Sequence, residues 1–251
     1  MPGQQARGSV VLITGFEAND PQYRNASAVL LEMLAGQLTD LGCACGGIEV
    51  RTKLMPGDTT ALAGSLEAAL DEQPNPTHLL LLGQAPGRNK VMLERYATNL
   101  RDFGTSDRHG NLPCDVPVID GGPAAYRSTW PEQTRLVEAL NSVGIPAAIS
   151  NDAGNHLCNQ LLYLALHTGA ERSRTYVATF VHIPVLPQQV IDEEPLTMRH
   201  PNCPYLPLPM LMEAVEHLLR AAFLPSDIVQ ARPGRTRAGG RTSVSFGVWD
   251  V

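Results

Sequence analysis

Three residues far apart in the sequence could together form an activated nucleophile: Cys158, His182 and Glu94. Cys158 falls in the first turn of a predicted helix, after a predicted strand and a polar turn. The positive end of the helix dipole favours the thiolate, and free backbone N–H groups there could stabilise an oxyanion. The alternative is a buried structural cysteine, which is the commoner fate of a single cysteine.

His182 is the candidate base for Cys158, because it follows a short apolar strand. Ligands of open α/β sheets bind beyond the carboxyl ends of strands, so we expect both residues at the same edge of the sheet. His156 and His167 share a helix with Cys158 at offsets that point them elsewhere. His78 begins a strand and should lie at the opposite edge. A packed or surface histidine remains the alternative for His182.

Glu94 places a charge inside the apolar stretch Val91-Met92-Leu93-Glu94-Arg95-Tyr96. A carboxylate in such surroundings must find a partner. It could orient His182 and stabilise the imidazolium, as the third member of a catalytic triad does. The alternative is an ion pair with Arg95 or with another arginine.

Apolar strands alternate with amphipathic helices, which predicts one α/β domain with a mostly parallel sheet and helices on both faces. We assign residues 1–224 to this domain. Residues 225–251 form an Arg- and Gly-rich tail, interpreted as solvated, with a possible edge strand at Val244, Phe246 and Val248. The predicted strands span residues 10–14, 78–82, 146–149 and 176–181. The predicted helices span 58–70, 132–143, 155–167 and 210–222, with a first helix that begins at Asn25 or Ser27 and ends at Gly42.

The composition excludes several classes of protein. With 251 residues, 43% hydrophobic and 18% charged, the chain can bury a full core and is not disordered in bulk. A net charge of −6 disfavours general nucleic-acid binding. No apolar run is long enough for a signal peptide or a membrane span, and the odd number of cysteines indicates reduced thiols in a cytoplasm. No second cysteine pair at zinc spacing accompanies Cys43 and Cys45, so we expect no metal.

Two Gly-rich segments invite a functional interpretation. Residues 101–131 predict a long excursion, and such excursions usually carry function or contact neighbours. Residues 83–88 lack the Lys-Ser/Thr of a P-loop and the G-x-G-x-x-G spacing, which disfavours nucleotide binding. They more plausibly make a tight turn that offers the amide of Gln84 to a ligand.

Several segments resemble the pyroglutamyl peptidase I (pyrrolidone-carboxylate peptidase) family of cysteine peptidases, in the family's order across about residues 10–222. They are Val11-Leu12-Ile13-Thr14-Gly15-Phe16-Glu17; Gly83-Gln84-Ala85-Pro86-Gly87-Arg88; Glu94-Arg95 with Ala97 and Asn99; Asp120-Gly121-Gly122-Pro123 with Ala125-Tyr126 and Ser128-Thr129; Gly144-Ile145-Pro146; Ala153-Gly154 with Cys158-Asn159, Tyr163 and His167; and His182-Ile183-Pro184 with Leu186-Pro187. The resemblance implies a three-layer α/β/α sandwich and a cytoplasmic cysteine peptidase without cofactor, forming a homo-oligomer (tetramer or dimer). It carries the family's Cys–His–Glu triad over to Cys158, His182 and Glu94.

Three departures from the family pattern fall at the expected pocket. Asn19 replaces a Phe that helps to sandwich the pyroglutamyl ring, Gly104 replaces an Arg aimed at the oxyanion, and His156 replaces a Tyr or Phe. Losing one oxyanion donor typically costs about 10²–10³ in rate, although an Arg of the tail could replace the cation. The residues expected to bind substrate are Phe16, Asn19, Gln84, Leu157 and His156.

Three hypotheses therefore stand. The first is a hydrolase that removes an N-terminal pyroglutamyl (5-oxoprolyl) residue from small peptides through an acyl-enzyme. The second is a cysteine amidohydrolase that prefers another N-acyl amide, because Asn19, Gly104 and His156 make the pocket more polar. The third is a non-catalytic relative that keeps the fold, motivated by the missing Arg and the added tail. None of them involves nucleic acid or a membrane.

Overall fold

The computed structural model describes residues 8–20, 22–172, 175–200 and 202–225. The tail arginines and the edge strand predicted at Val244, Phe246 and Val248 lie outside these ranges. The strands are β1 (Val10–Phe16), β2 (Glu49–Met55), β3 (His78–Gln84), β4 (Val91–Glu94), β5 (Tyr96–Thr98), β6 (Ala125–Arg127), β7 (Ala147–Ser150) and β8 (Val177–Ile183). The helices are α1 (Ala26–Ala35), α2 (Leu38–Ala44), α3 (Leu62–Asp71), α4 (Gln133–Ser142), α5 (Leu157–Glu171), α6 (Pro187–Ile191), α7 (Pro195–Met198) and α8 (Leu208–Phe223).

A six-stranded sheet forms the centre of the molecule, in the order β2-β1-β3-β8-β4-β7. The first four of these strands pair in parallel, whereas β4 pairs antiparallel with β8 and parallel with β7. The prediction of a mostly parallel sheet is thus confirmed, with two strands reversed at one side. A separate pair, β5 and β6, forms a small antiparallel ribbon.

Apolar layers cover both faces of the sheet, which confirms the predicted α/β/α sandwich. Successive strand residues point to opposite faces, so Val11 and Ile13 of β1 pack with α1, α2, α4 and α8. Leu12 and Phe16 pack on the other face, with α3 and α5. A strand that is buried on both faces reads as a continuous apolar run, and β3 has such a run for this reason.

Some boundaries differ from the predicted ones. The first predicted helix divides into α1 and α2, because Gly36 ends α1 and Gln37 turns back to bond the carbonyl of Leu34. Asn25 caps α1, as predicted, by accepting a hydrogen bond from the Ser27 N–H. The sequence analysis did not predict the edge strand β2, whose exposed positions are Glu49, Lys53 and Leu54. No helix within the described ranges is long and apolar enough to cross a membrane.

Candidate active site

The candidate catalytic residues of the sequence analysis lie on one face of the sheet. Phe180 of β8 packs in the layer that contains α5, and His182, two residues later, points to the same face. Gly83 of β3 is the register partner of His182. On the other side of β8, Glu94 pairs with Phe180. The sheet therefore sets Gly83 beside His182, and Glu94 diagonally across from His182, beneath the start of α5.

Cys158 is the second residue of α5 and lies over Gly83. A Cβ atom added to Gly83 would lie 3.0 Å from the Cys158 Sγ and 2.7 Å from the ring of Phe180. Only the absence of a side chain at Gly83 lets α5 approach the sheet this closely. The thiol is partly exposed, so it is accessible from outside the core.

The route that brings Cys158 to this place differs from the prediction. The prediction assumed that the strand before Cys158 ends at the same edge as the strand of His182. In the structure β7 runs antiparallel to β8, and its last residue, Ser150, is level with Glu94 and Phe180 in the middle of the sheet. The segment 151–156, and not a shared strand edge, carries the chain to the start of α5.

Glu94 and His182 form a direct pair. Nδ1 of His182 donates a hydrogen bond of 2.8 Å to Oε1 of Glu94, and the residues are 5% and 0% exposed. The Arg88 guanidinium lies 3.8 Å from the same carboxylate oxygen. Arg95 bonds Asn151 instead. Of the alternatives for Glu94, the pairing with His182 is therefore the close one, and Arg88 adds a second positive charge.

The pKa of His182 reflects opposing influences. Burial lowers it, but the interactions with the Cys158 side chain and with Glu94 outweigh burial and raise the pKa to about 9. The imidazole therefore holds a proton at neutral pH. An imidazolium beside a cysteine favours the thiolate, which is the nucleophilic form.

A cleft of about 810 Å³ opens above Cys158. All of the predicted substrate-binding residues line it, together with Cys158: Phe16, Asn19, Gln84, His156 and Leu157. The sequence analysis did not name several of the lining residues. Residues 105–107 belong to the Gly-rich excursion that was expected to carry function. The others, which were not predicted to line a cleft, include Tyr23, Arg24 and Asn25 before α1, and Pro195, Leu196, Arg199 and His200 in and after α7.

The His156 ring is fixed by its neighbours. It packs on Phe103 with 3.9 Å between ring centres, and its Nε2 donates a hydrogen bond of 3.0 Å to the carbonyl oxygen of Thr105. Burial is the main influence on the pKa of His156 and lowers it. This histidine therefore presents a neutral ring to the cleft.

Asp107 anchors the excursion at the cleft. Its carboxylate accepts hydrogen bonds from the backbone N–H groups of Thr59, His109 and Asn111 and from the side chain of Asn111. Close by, Gly104 is exposed, and a Cβ added there would meet nothing within 4 Å. The position where the family carries an arginine is thus open space.

The arginines among the described residues that line the cleft are Arg24 and Arg199. Arg24 is engaged, because its Nη1 lies 2.6 Å from the carboxylate of Asp192 and 3.7 Å from that of Glu194. Arg199 is exposed at the rim. The cleft is therefore lined by charges of both signs, because Asp20 and Asp107 line it as well.

Sequence relatives of this chain share one description. Pyrrolidone-carboxylate peptidase from Escherichia fergusonii is 35% identical over 225 residues, which cover 88% of this chain and 96% of the relative. The protein of that name from Brachyspira hyodysenteriae is 32% identical over 214 residues, covering 84% of this chain and 98% of the relative.

Solved structures give the same result. A mutant pyrrolidone carboxyl peptidase from Pyrococcus furiosus superposes with a TM-score of 0.76 at 32% identity, covering 85% of this chain and 97% of the other. Pyroglutamyl peptidase I from Bacillus amyloliquefaciens also gives 0.76, at 28% identity, with coverage of 86% and 96%. A model of the pyroglutamyl peptidase family matches residues 9–223, and the chain therefore belongs to that family.

Proposed function

We propose that this chain is a cysteine peptidase that removes an N-terminal pyroglutamyl residue from peptides. The observation that carries the proposal is the buried 2.8 Å pair of His182 and Glu94 beside the partly exposed Cys158. Family membership supports the substrate class, since the relatives described above are named for pyroglutamyl or pyrrolidone-carboxyl substrates.

The geometry supports an acylation step. The thiolate of Cys158 attacks the carbonyl carbon of the pyroglutamyl residue, and a C–S bond forms as the carbonyl becomes an oxyanion. The N–H groups of the first turn of α5 lack intrahelical acceptors and can stabilise that oxyanion. Nδ1 of His182 is held by Glu94, so Nε2 delivers the proton to the departing amine as the C–N bond breaks.

Deacylation uses the same groups in reverse. Water attacks the thioester while Nε2 of His182 accepts one of its protons, and the C–S bond breaks to release pyroglutamate. Glu94 stabilises the imidazolium that forms in this step, as the acid of a triad does. No step requires a metal or a cofactor.

The cleft supplies groups that suit a lactam ring. Phe16 and His156 offer ring surfaces, and Gln84 offers an amide. Phe103 packs on the His156 ring and so holds that ring at the cleft.

Hydrolysis of a pyroglutamyl-aminomethylcoumarin substrate tests the proposal. We expect turnover by the wild type and a loss of at least about 10³-fold in Cys158→Ala, because no other group replaces the nucleophile. Cys43→Ala removes an exposed cysteine and serves as the matched control, which should keep full activity. Equal rates for wild type and Cys158→Ala would overturn the proposed nucleophile.

A second candidate is a cysteine amidohydrolase that prefers another acyl group. Asn19 favours it, because this polar side chain lines the cleft near Gly57. A panel of N-acyl aminocoumarins decides between the two functions. If a different acyl group gives a higher kcat/KM than pyroglutamyl, the second candidate is correct; if pyroglutamyl is best, it is rejected.

A further inference from the structure

Gln189 of α6 is completely buried and forms a hydrogen bond with Gln84, which lines the cleft. Its Oε1 accepts a hydrogen bond of 2.9 Å from the backbone N–H of Leu186. Its Nε2, which carries two hydrogens, shares them among three acceptors: the backbone oxygen of Arg24 at 3.0 Å, and Oε1 of Gln84 and Oε2 of Glu194, both at 3.1 Å. Gln189 thus connects the segment after the His182 strand to a residue that lines the cleft.

These bonds determine which way each amide faces. A backbone N–H can only donate, so the Leu186 N–H requires the oxygen of Gln189 on its side, and Gln189 must then donate through its nitrogen. The acceptor of that donation is Oε1 of Gln84. The backbone N–H of Ala26 also donates to this oxygen, at 2.8 Å. Two donors therefore fix Gln84 with its oxygen turned to the protein.

The consequence is that Gln84 has only its NH₂ group to offer the cleft. Among the described residues, none accepts a hydrogen bond from the Nε2 of Gln84, whose bonds are made by its oxygen. A free amide can rotate to present either a donor or an acceptor. With its oxygen engaged twice, this one presents a donor.

We propose that Gln189 is a positioning residue that locks Gln84 as a hydrogen-bond donor, so that the cleft selects acyl groups with a ring carbonyl and disfavours protonated amines. This inference rests on the proposed function and deepens it. The ring carbonyl of a pyroglutamyl group accepts a hydrogen bond, whereas a prolyl ring has no carbonyl and carries an ammonium that only donates. A misoriented Gln84 would lose this discrimination, because its oxygen could receive the ammonium.

Two measurements test the inference. Gln189→Met removes the donor while keeping a side chain of similar length, and we expect KM for the pyroglutamyl substrate to rise about fivefold to tenfold with little change in kcat. The second measurement is protection of Cys158 from iodoacetamide. In the wild type 2-pyrrolidone should slow the alkylation and pyrrolidine should not. In Gln189→Met the same protection should need about fivefold to tenfold more 2-pyrrolidone, while the alkylation rate without additive stays unchanged.

The matched control is Gln188→Met, which changes the same residue type on the same helix at an exposed position bonded to Asp192. It should behave as the wild type in both measurements. If Gln189→Met does not fold, Gln84→Glu replaces it: glutamate keeps an acceptor for Ala26 and Gln189 but removes the donor, so protection by 2-pyrrolidone should disappear.

The outcomes separate the two claims. If the wild type is protected by 2-pyrrolidone but does not hydrolyse the coumarin substrate, the proposed function fails and the carbonyl-selecting role stands. If the wild type hydrolyses the substrate but Gln189→Met keeps its KM and its protection, the inference is wrong. Equal protection by 2-pyrrolidone and pyrrolidine, or an unaffected Gln84→Glu variant, would also overturn it.

Discussion

Burial and charge act in opposite directions on the imidazole of His182. At 5% exposure, an isolated histidine would favour the neutral form. The structure instead holds it between the Cys158 side chain and the carboxylate of Glu94, and these partners raise its pKa to about 9. Cys158 and Glu94 together therefore set the protonation state of His182, and Glu94 fixes the orientation of its ring.

This pKa gives a pH dependence with a definite sign. Because the pKa is raised, the imidazolium is complete at neutral pH and is lost as the pH rises through about 9. We expect kcat/KM, which reports groups of the free enzyme, to fall above that pH. Glu94→Gln removes one of the interactions that raise the pKa, so the alkaline fall should move to lower pH. A profile that is identical in wild type and Glu94→Gln would contradict this account of the pair.

The sequence identified the three candidate catalytic residues through their types, their spacing and their resemblance to a family. Polar residues that act through a network are harder to find. Gln188 and Gln189 are adjacent and identical in type, yet one is exposed and the other is completely buried. Which of the two faces the core depends on the exact start of α6, and a helix of this length has no periodicity from which to read it.

Helix α5 approaches strand β3 closely at Gly83. The strand alternation places this residue beneath Cys158, where any side chain would collide with the sulfur or with Phe180. A nucleophile displaced by about 1 Å can lose about 10² in rate. Gly83 therefore helps to position the thiol of Cys158.

Gly83→Ala should reduce the rate of Cys158 alkylation by iodoacetamide and lower kcat by at least about tenfold. Gly64→Ala is the matched control, because Gly64 lies in α3 and a Cβ there would meet nothing within 4 Å. It should retain activity and stabilise the protein by up to about 1 kcal/mol, measured by urea unfolding. Full activity in Gly83→Ala would show that the close approach is unimportant.

The longer elements were predicted by type, but the elements β2, β4, β5, β6, α6 and α7 were not predicted, and neither were the strand directions. Apolar runs and helical spacing reveal β3, β8, α5 and α8, because each buries a continuous surface. The reversal of β4 and β7 leaves no trace in those patterns, since side chains alternate identically in either direction. The division at Gly36 was missed because the apolar spacing continues across it.

The two apolar layers differ in their relation to the candidate active site. The layer with α3 and α5 supports Cys158, and the layer with α1, α2, α4 and α8 packs on the opposite face of the sheet. Both layers contain fully buried side chains, such as Leu161 of α5 and Leu140 of α4, each 0% exposed. Stability should depend on both layers and the placement of the thiol chiefly on one.

Truncating one leucine in each layer separates these effects. Leu161→Ala and Leu140→Ala should each cost about 2–5 kcal/mol in the free energy of unfolding, measured with urea. Under conditions where both variants remain folded, Leu161→Ala should also reduce kcat, because α5 carries the nucleophile. Leu140→Ala should keep the kcat of the wild type. The reverse pattern, or equal losses of kcat, would contradict this difference between the layers.

The proposed mechanism depends on one covalent species, a thioester between the pyroglutamyl group and the sulfur of Cys158. Acid quenching during turnover of a pyroglutamyl substrate, followed by peptide mass spectrometry, measures it directly. We predict one pyroglutamyl group on the peptide that contains Cys158 and none on the corresponding peptide of Cys158→Ala. Turnover with the acyl group on another residue, or undiminished turnover by Cys158→Ala, would contradict the account.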